Sequence, residues 1–154
     1  MKIKVATIDK GGKDKLYTPL IEHFLKISRP FATIEVIDIF NKSIIRGHEE
    51  GVIQSKHSYS EAFANHFSAN GVNIALDPNG IVVDSFDIAK ILKDKNSVTF
   101  FIGGAYGLEE SFVQQCNKCI SFGKITLSHK LAKVVLLEQI FRALAINNNH
   151  PYHK

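Results

Sequence analysis

Three stretches of this chain carry residue types that could do chemistry. The chain closes on "INNNHPYHK", Ile146 to Lys154, which packs His150, Tyr152, His153 and Lys154 into its last five residues. A chain end frays unless something ties it down, so rings and proton donors gathered there suggest a task. Tyrosine stacks on a nucleic-acid base, while histidine or lysine contacts phosphate or handles a proton. Half a metal site through His150 and His153, with His129 brought from elsewhere in the chain, is the competing reading. The second stretch, "FFIGGAYGL", sets a glycine pair at the end of an apolar run. In open parallel sheets ligands sit at that edge, and glycine lets backbone amides approach them closely. Gly103, Gly104 and Gly107 do not match the dinucleotide fingerprint, and no Lys-Ser/Thr follows them to cradle phosphate. The third stretch is "CNKC", Cys116 to Cys119, in which Lys118 could depress a thiol pKa. It falls at a helix end rather than at a helix start after the first strand, and zinc would need a second cysteine pair. Two half-buried small side chains are the expectation there.

The elements that must position these residues follow from periodicity. Lys2 to Ile8 ("KIKVATI") alternates as a first strand, and Leu16, Leu20, Phe24 and Ile27 mark a helix with Pro19 in its first turn. Thr33 to Phe40 predicts a second strand, followed by a mobile loop over "NKSIIRGHEEG". A helix is expected over Ser58 to Phe67, stopped by Asn70-Gly71. Val72 to Asp77 reads as a buried strand closed by the turn "PNG", and Asp84 to Leu92 as a helix with Ser85 as its cap. Ser97 to Ile102 is another buried strand, "LEESFVQQC" a short helix, and "KCISFGKITL" a strand with its loop. Ser128 to Ile146 forms the longest helix. Strands alternating with helices favour a parallel α/β sheet covered on both faces, in one domain spanning residues 1–154 with no repeat or linker. If the strands before "LDPNG", "GGAYG" and "SFGKITLSH" are neighbours, their loops converge on a pocket walled by Leu76, Ile102, Ile125 and Leu127. Such walls suit a neutral planar ring such as adenine better than a phosphate. The last helix is apolar over most of its circumference, from Leu131 to Ala145, and such a helix is buried on most sides. A second copy of the chain is the expected cover, hence a homodimer.

Composition sets the outer limits. With 154 residues, 45% hydrophobic and 22% charged, the chain can bury a core and is not a disordered one. Its formal charge of +4 and pI near 9.0 lean weakly toward an anionic partner. No run approaches the ~18 apolar residues of a membrane span, and the start lacks the features of a signal peptide, so a cytoplasmic protein without a membrane partner is expected. Two cysteines imply no disulfide framework. On residues alone, a non-catalytic RNA-binding protein and a nucleotide-cofactor enzyme of doubly wound fold both stay open.

Taken in order, "LDPNG", "FFIGGAYG", "KITLSHKLAKVVLLEQIFRALAI" and "NHPYHK" resemble the small bacterial ribosomal-RNA methyltransferases of the α/β-knot (SPOUT) class, from one end of the chain to the other. Within that class they are similar to the enzymes that methylate the imide nitrogen, N3, of a pseudouridine in large-subunit (23S) RNA on the assembled ribosome. The resemblance implies a C-terminal trefoil knot and S-adenosyl-L-methionine as cofactor. Its contacts would be Leu76, Gly103, Gly104 and the loop Phe122, Gly123, Lys124, Ile125, Thr126, Leu127 and Ser128. It also implies a homodimer in which the tail of one subunit completes the pocket of the other. His153 and Tyr152 are then expected at the target base, with Lys154 and Arg142 stabilising negative charge and His129, at the end of the Leu-x-His loop, among the catalytic candidates. RNA contacts are expected from Lys133, Arg142, His150, Tyr152 and Lys154. Two positions depart from the family pattern: Tyr106 stands where an acidic residue is frequent, and Lys154 where arginine is common. Lysine keeps the charge but loses the bidentate fork for phosphate.

Overall fold

Each strand of the sheet alternates apolar side chains between two separate cores, and that alternation sets the architecture. The computed structural model describes residues 1–153. The strands β1 (Lys2–Ile8), β2 (Thr33–Ile39), β3 (Val72–Val82), β4 (Ser97–Ile102) and β5 (Lys118–Ser121) form one sheet in the order β2-β1-β4-β3-β5, every pair parallel. Six helices cover it: α1 (Thr18–Ser28), α2 (Lys42–Glu50), α3 (Val52–Ala64), α4 (Ser85–Leu92), α5 (Glu110–Gln115) and α6 (His129–Asn147). Ile3, Val5, Ile74, Val98, Phe100 and Ile102 face α1, α4 and α6, whereas Ala6, Ile8, Ala75 and Phe101 face α2, α3 and α5. A period of two along each strand requires this division. Phe63, Phe101 and Phe112 meet edge-on or tilted at 5.1–5.4 Å in the second core, a geometry favoured by ring quadrupoles. The expected α/β class, with a parallel sheet covered on both faces, is what the chain forms.

Several local expectations are corrected. The stretch over residues 41–51 is not a loop but carries the helix α2, Lys42–Glu50, whose first turn is capped by Asn41 accepting from the Ile44 amide at 3.0 Å. Only Ile44 and Gly47 are buried along it, too sparse a pattern to stand out in sequence. It packs on α3, where the Ser55 hydroxyl donates to the carbonyls of Gly47 and Gly51. That helix starts at Val52, earlier than expected, because the polar residues Ser55 and Ser58 are among its buried positions. The cap of α4 is Asp84 rather than Ser85. Asp84 and Asp87 form a reciprocal capping box, and the Ser85 hydroxyl donates to Gln139 at 2.7 Å. β3 does not stop at "PNG": it resumes after a register break, so that Leu76 and Ile81 both pair with Ile120.

The long helix also has its cover within one chain. Ala132, Val134, Leu136, Leu137, Ile140, Phe141, Ala143, Leu144 and Ala145 are all buried by the single subunit. The helix lies between α1 and α4 and over β1 and β4, so it has neighbours on three sides. Its apolar circumference therefore does not itself demand a second copy.

Candidate active site

The strand order makes β1, β4, β3 and β5 consecutive neighbours, and their loops meet at the carboxyl edge, where open α/β sheets bind ligands. A cavity of about 380 Å³ opens there, bounded by the ends of β3, β4 and β5 and by the first turn of α6. That volume falls in the ~300–1,000 Å³ range of small-molecule sites. Its walls include the four expected apolar residues, Leu76, Ile102, Ile125 and Leu127, together with Gly103, Gly104, Phe122, Thr126, Ser128 and His129. Asp77, Pro78, Ala105, Leu108, Ser121 and Ala132 also line it and lie outside the expected set. Position at the end of a parallel strand, the rule that points to the glycine pair, would have found Asp77 as well. Gly123 and Lys124 belong to the same loop but do not line the cavity, and Lys124 is exposed.

Two glycines shape this site. A Cβ on Gly104 would stand 2.8 Å from the ring of Tyr59, so only glycine lets the loop lie flat on that buried tyrosine. Tyr59 in turn is hydrogen-bonded to His48, and Tyr106 packs edge-on against His48 at 5.5 Å. The Tyr106 side chain thus braces the back of the glycine loop where an acidic residue was the family expectation. Burial, with a smaller contribution from Tyr106, pushes the Tyr59 phenol up to about 12, so it is a neutral structural group. Gly123 has φ +128°, which turns the chain out of β5. The Ser121 hydroxyl secures that turn by donating to the Gly123 carbonyl at 2.7 Å. Ser128 then caps α6, its hydroxyl accepting from the Leu131 amide.

The cavity thus offers a mostly apolar slot edged by backbone amides and carbonyls, with no Lys or Arg among the described residues that line it. Its apolar walls match a planar ring such as adenine, and backbone groups at Gly103, Gly104, Phe122 and the 125–128 segment are placed where they could read such a ring's edge.

The tail residues form a second cluster. The Arg142 guanidinium donates to Glu138 through Nε at 3.0 Å and Nη2 at 2.6 Å, and stacks over the Tyr152 ring at 4.7 Å. The Tyr152 hydroxyl donates to the same carboxylate at 3.2 Å, and burial together with that carboxylate raises its pKa. His153 lies 3.4 Å from Arg142 and edge-on to Phe86 at 4.8 Å, while His150 packs against Phe31 and Phe141. Lys154 lies outside the described residues. Cluster and cavity sit at opposite ends of α6: at 1.5 Å per residue, Arg142 is about 20 Å along the helix from His129. Within one subunit the structure therefore does not bring the tail to the pocket.

Lys133, expected at the RNA, is placed instead in a buried ion-pair cluster. It is 2% exposed and donates to Asp9 at 3.0 Å and to Asp38. Cys116 and Cys119 are half-buried, as expected. Burial pushes the Cys116 thiol up to about 12, with a smaller contribution from Cys119, the reverse of a redox-active thiol. Among the described residues no group of three or more side chains could hold a metal ion. Among them, too, no helix is long and apolar enough to cross a membrane.

Comparison with known proteins identifies the family. The family model described as a predicted SPOUT methyltransferase covers residues 1–153, and the chain belongs to the SPOUT methyltransferase family. Among its relatives is the Ribosomal RNA large subunit methyltransferase H of a Sulfurovum species, 58% identical over 154 residues and 100% of both chains. The proteins of the same name from a Nitratiruptor species and from Wolinella succinogenes are 47% identical, over 98% of this chain and 99% of the relative, and 46% identical over the whole of both.

Proposed function

We propose that this chain, as a homodimer, methylates N3 of a pseudouridine in large-subunit ribosomal RNA, using S-adenosyl-L-methionine and acting on the assembled ribosome. The observation that carries the reading is the slot between Leu76, the Gly103-Gly104 loop and residues 122–128, in a chain matching named ribosomal-RNA methyltransferases over its whole length. When bound, the cofactor supplies an activated methyl group on a sulfonium. The protein's task is then to deprotonate and orient the acceptor. An imide nitrogen holds its proton roughly two to three units above neutral pH, so the site must supply about 3–4 kcal/mol. A positioned base or a cation beside the developing anion can do so. Arg142 and Lys154 are the cations in this reading, with Tyr152 and His153 against the target base and His150 toward the RNA. Because the Tyr152 phenol stays protonated, its part is stacking and hydrogen-bond donation.

Separation supports the dimer: Arg142, which anchors the tail cluster, lies about 20 Å along α6 from His129 at 1.5 Å per residue, and in this reading the tail of a second copy supplies the groups on the acceptor side. Ile81, Val82, Phe86 and Ile125 are exposed apolar side chains on the elements beside cavity and tail, and they supply surface for that contact. The family's trefoil knot would be formed by residues 122–128 and α6. With a net charge of only +4, few phosphates can be neutralised, so the ribosome's shape presents the target and free RNA binds weakly.

The test is transfer of labelled methyl from S-adenosyl-L-methionine to ribosomes that lack the modification. Full-length protein should label them. Protein ending at Asn149 should lose at least about 100-fold in rate, as expected when the groups orienting the acceptor are removed, while still binding the cofactor. Mixing the truncated chain with a full-length Gly104→Val chain, whose glycine loop is forced off Tyr59 and should no longer hold the cofactor, should restore activity, since one hybrid site then has both parts. No label on the ribosome, or no rescue on mixing, overturns the corresponding half of the proposal.

A further inference from the structure

At the foot of the cavity, one histidine is backed by a buried carboxylate to which no sequence motif points. His129, the first residue of α6, lines the cavity, and its Nε2 stands 3.5 Å from Oδ1 of Asp9 at the end of β1. Asp9 is 5% exposed, and its backbone amide donates to the Ile39 carbonyl at 3.1 Å, which fixes its place against β2. Its second oxygen accepts from Lys133 at 3.0 Å, and Lys130 lies 3.6 Å from the first. Lys133 also holds Asp38, and Lys130 holds Asp14 at 3.4 Å. A carboxylate behind an imidazole fixes which nitrogen carries the proton and how the ring is turned. Among the described residues Nδ1 of His129 has no polar partner, and the Nε2 contact with Asp9 has the length of an ion pair rather than of a short hydrogen bond.

We infer that Asp9 is a positioning residue for His129: it holds the Nε2 proton and leaves Nδ1 as the accepting atom toward the cavity, while Lys133 and Asp38 anchor Asp9. The inference rests on the proposed methyl transfer for its purpose, not for its geometry. The carboxylate behind the ring is itself held in place: Asp9 is shared with Lys130 and Lys133, which reach on to Asp14 and Asp38, and Asp77 is a further carboxylate on the cavity wall. When a proton passes from an imide to Nδ1, the N–H electron pair stays on the imide nitrogen and the imidazolium keeps its Nε2–H toward Asp9. The same arrangement ties β1 and β2 to the start of α6, so the ring is set by the sheet and not by the loop.

The test uses the intact protein with ¹⁵N-labelled histidine, the His129 signals being assigned by their loss in His129→Gln. In the unsubstituted protein His129 should be the Nε2–H tautomer. In Asp9→Asn the Nε2–H form should no longer dominate, because the carboxylate that selects it is gone. With ribosomes, Asp9→Asn should lower kcat about tenfold and leave the KM for S-adenosyl-L-methionine within about threefold. Asp9→Glu should restore most of the Nε2–H form. An Nδ1–H tautomer in the unsubstituted protein overturns the proposal without any variant, and so does an unchanged tautomer balance in a folded Asp9→Asn. These spectra need no methyl donor, so they remain readable if the methyl-transfer reading fails.

Discussion

Lys133→Met is the substitution whose outcome can be worked furthest from the structure. The lysine is 2% exposed, and methionine conserves its shape while removing the charge, so the cost comes from the carboxylates left behind. Removing one partner of a buried pair typically destabilises by about 3–5 kcal/mol. Here Asp9 keeps Lys130 at 3.6 Å and His129 at 3.5 Å, and Asp38, 28% exposed, can turn to water, so we expect about 3 kcal/mol, at the low end of that range. For a chain of this size, with a urea m-value of about 2 kcal/mol/M, the midpoint should move by about 1.5 M at pH 7. The pH dependence supplies a second check. Burial raises the Asp9 pKa, but the Lys133 hydrogen bond and the charges of Lys133, Lys130 and His129 outweigh it and hold the carboxyl below its ordinary value. A depressed carboxylate contributes stability above its unfolded pKa of about 3.9 and loses it as pH falls through the folded value. The gap between the two proteins should therefore be full at neutral pH and narrow below about pH 4. Urea titrations followed by circular dichroism at about pH 7 and about pH 3.5 measure both. A midpoint shift under about 0.5 M at neutral pH, or a gap that widens in acid, would refute the reasoning.

Other outcomes follow from the same geometry. Gly104→Ala places a Cβ within 2.8 Å of the Tyr59 ring and should cost about 1–3 kcal/mol by overpacking, read by thermal melting, with weakened cofactor binding by calorimetry. Arg142→Ala removes an ion pair on the partly exposed end of α6 and should cost no more than about 1 kcal/mol in stability. It should nonetheless lower methylation of ribosomes at least about tenfold, through the lost cation beside the developing anion. Equal loss in both measurements would make Arg142 structural. Replacing Cys116 and Cys119 together by alanine should leave methylation within about twofold, and iodoacetamide should label the native thiols slowly at about pH 8, since the Cys116 thiol is pushed up to about 12. Rapid labelling would reinstate a redox role.

How much of this is legible beforehand depends on whether a signal is local. The five strands announce themselves because each is a short β-rich run, and buried positions alternate along them between two cores. The glycine pair can be singled out because a strand that ends on glycine has few other reasons to do so. α2 is hidden in the sequence, since a helix that buries only Ile44 and Gly47 has no apolar stripe. Asp9, Lys133 and Asp38 cannot be joined by any pattern, since they come from the end of β1, from α6 and from β2 and meet only because β1 and β2 are neighbours under that helix.

What the sequence by itself determined is the inventory: an α/β chain with glycine turns after its strands, a long apolar helix and a tail rich in histidine and tyrosine. These are consequences of side-chain type and near-neighbour spacing, which set backbone preference and burial over a few residues. Only the tertiary structure decided which groups share a site. Strand order brought three loops together into one cavity, and packing turned Lys133 from an expected phosphate contact into the buried partner of two carboxylates. The length of α6 set the tail a helix away from its own subunit's cavity. Contacts between distant segments depend on how the sheet is ordered, and no single stretch of the chain contains that order.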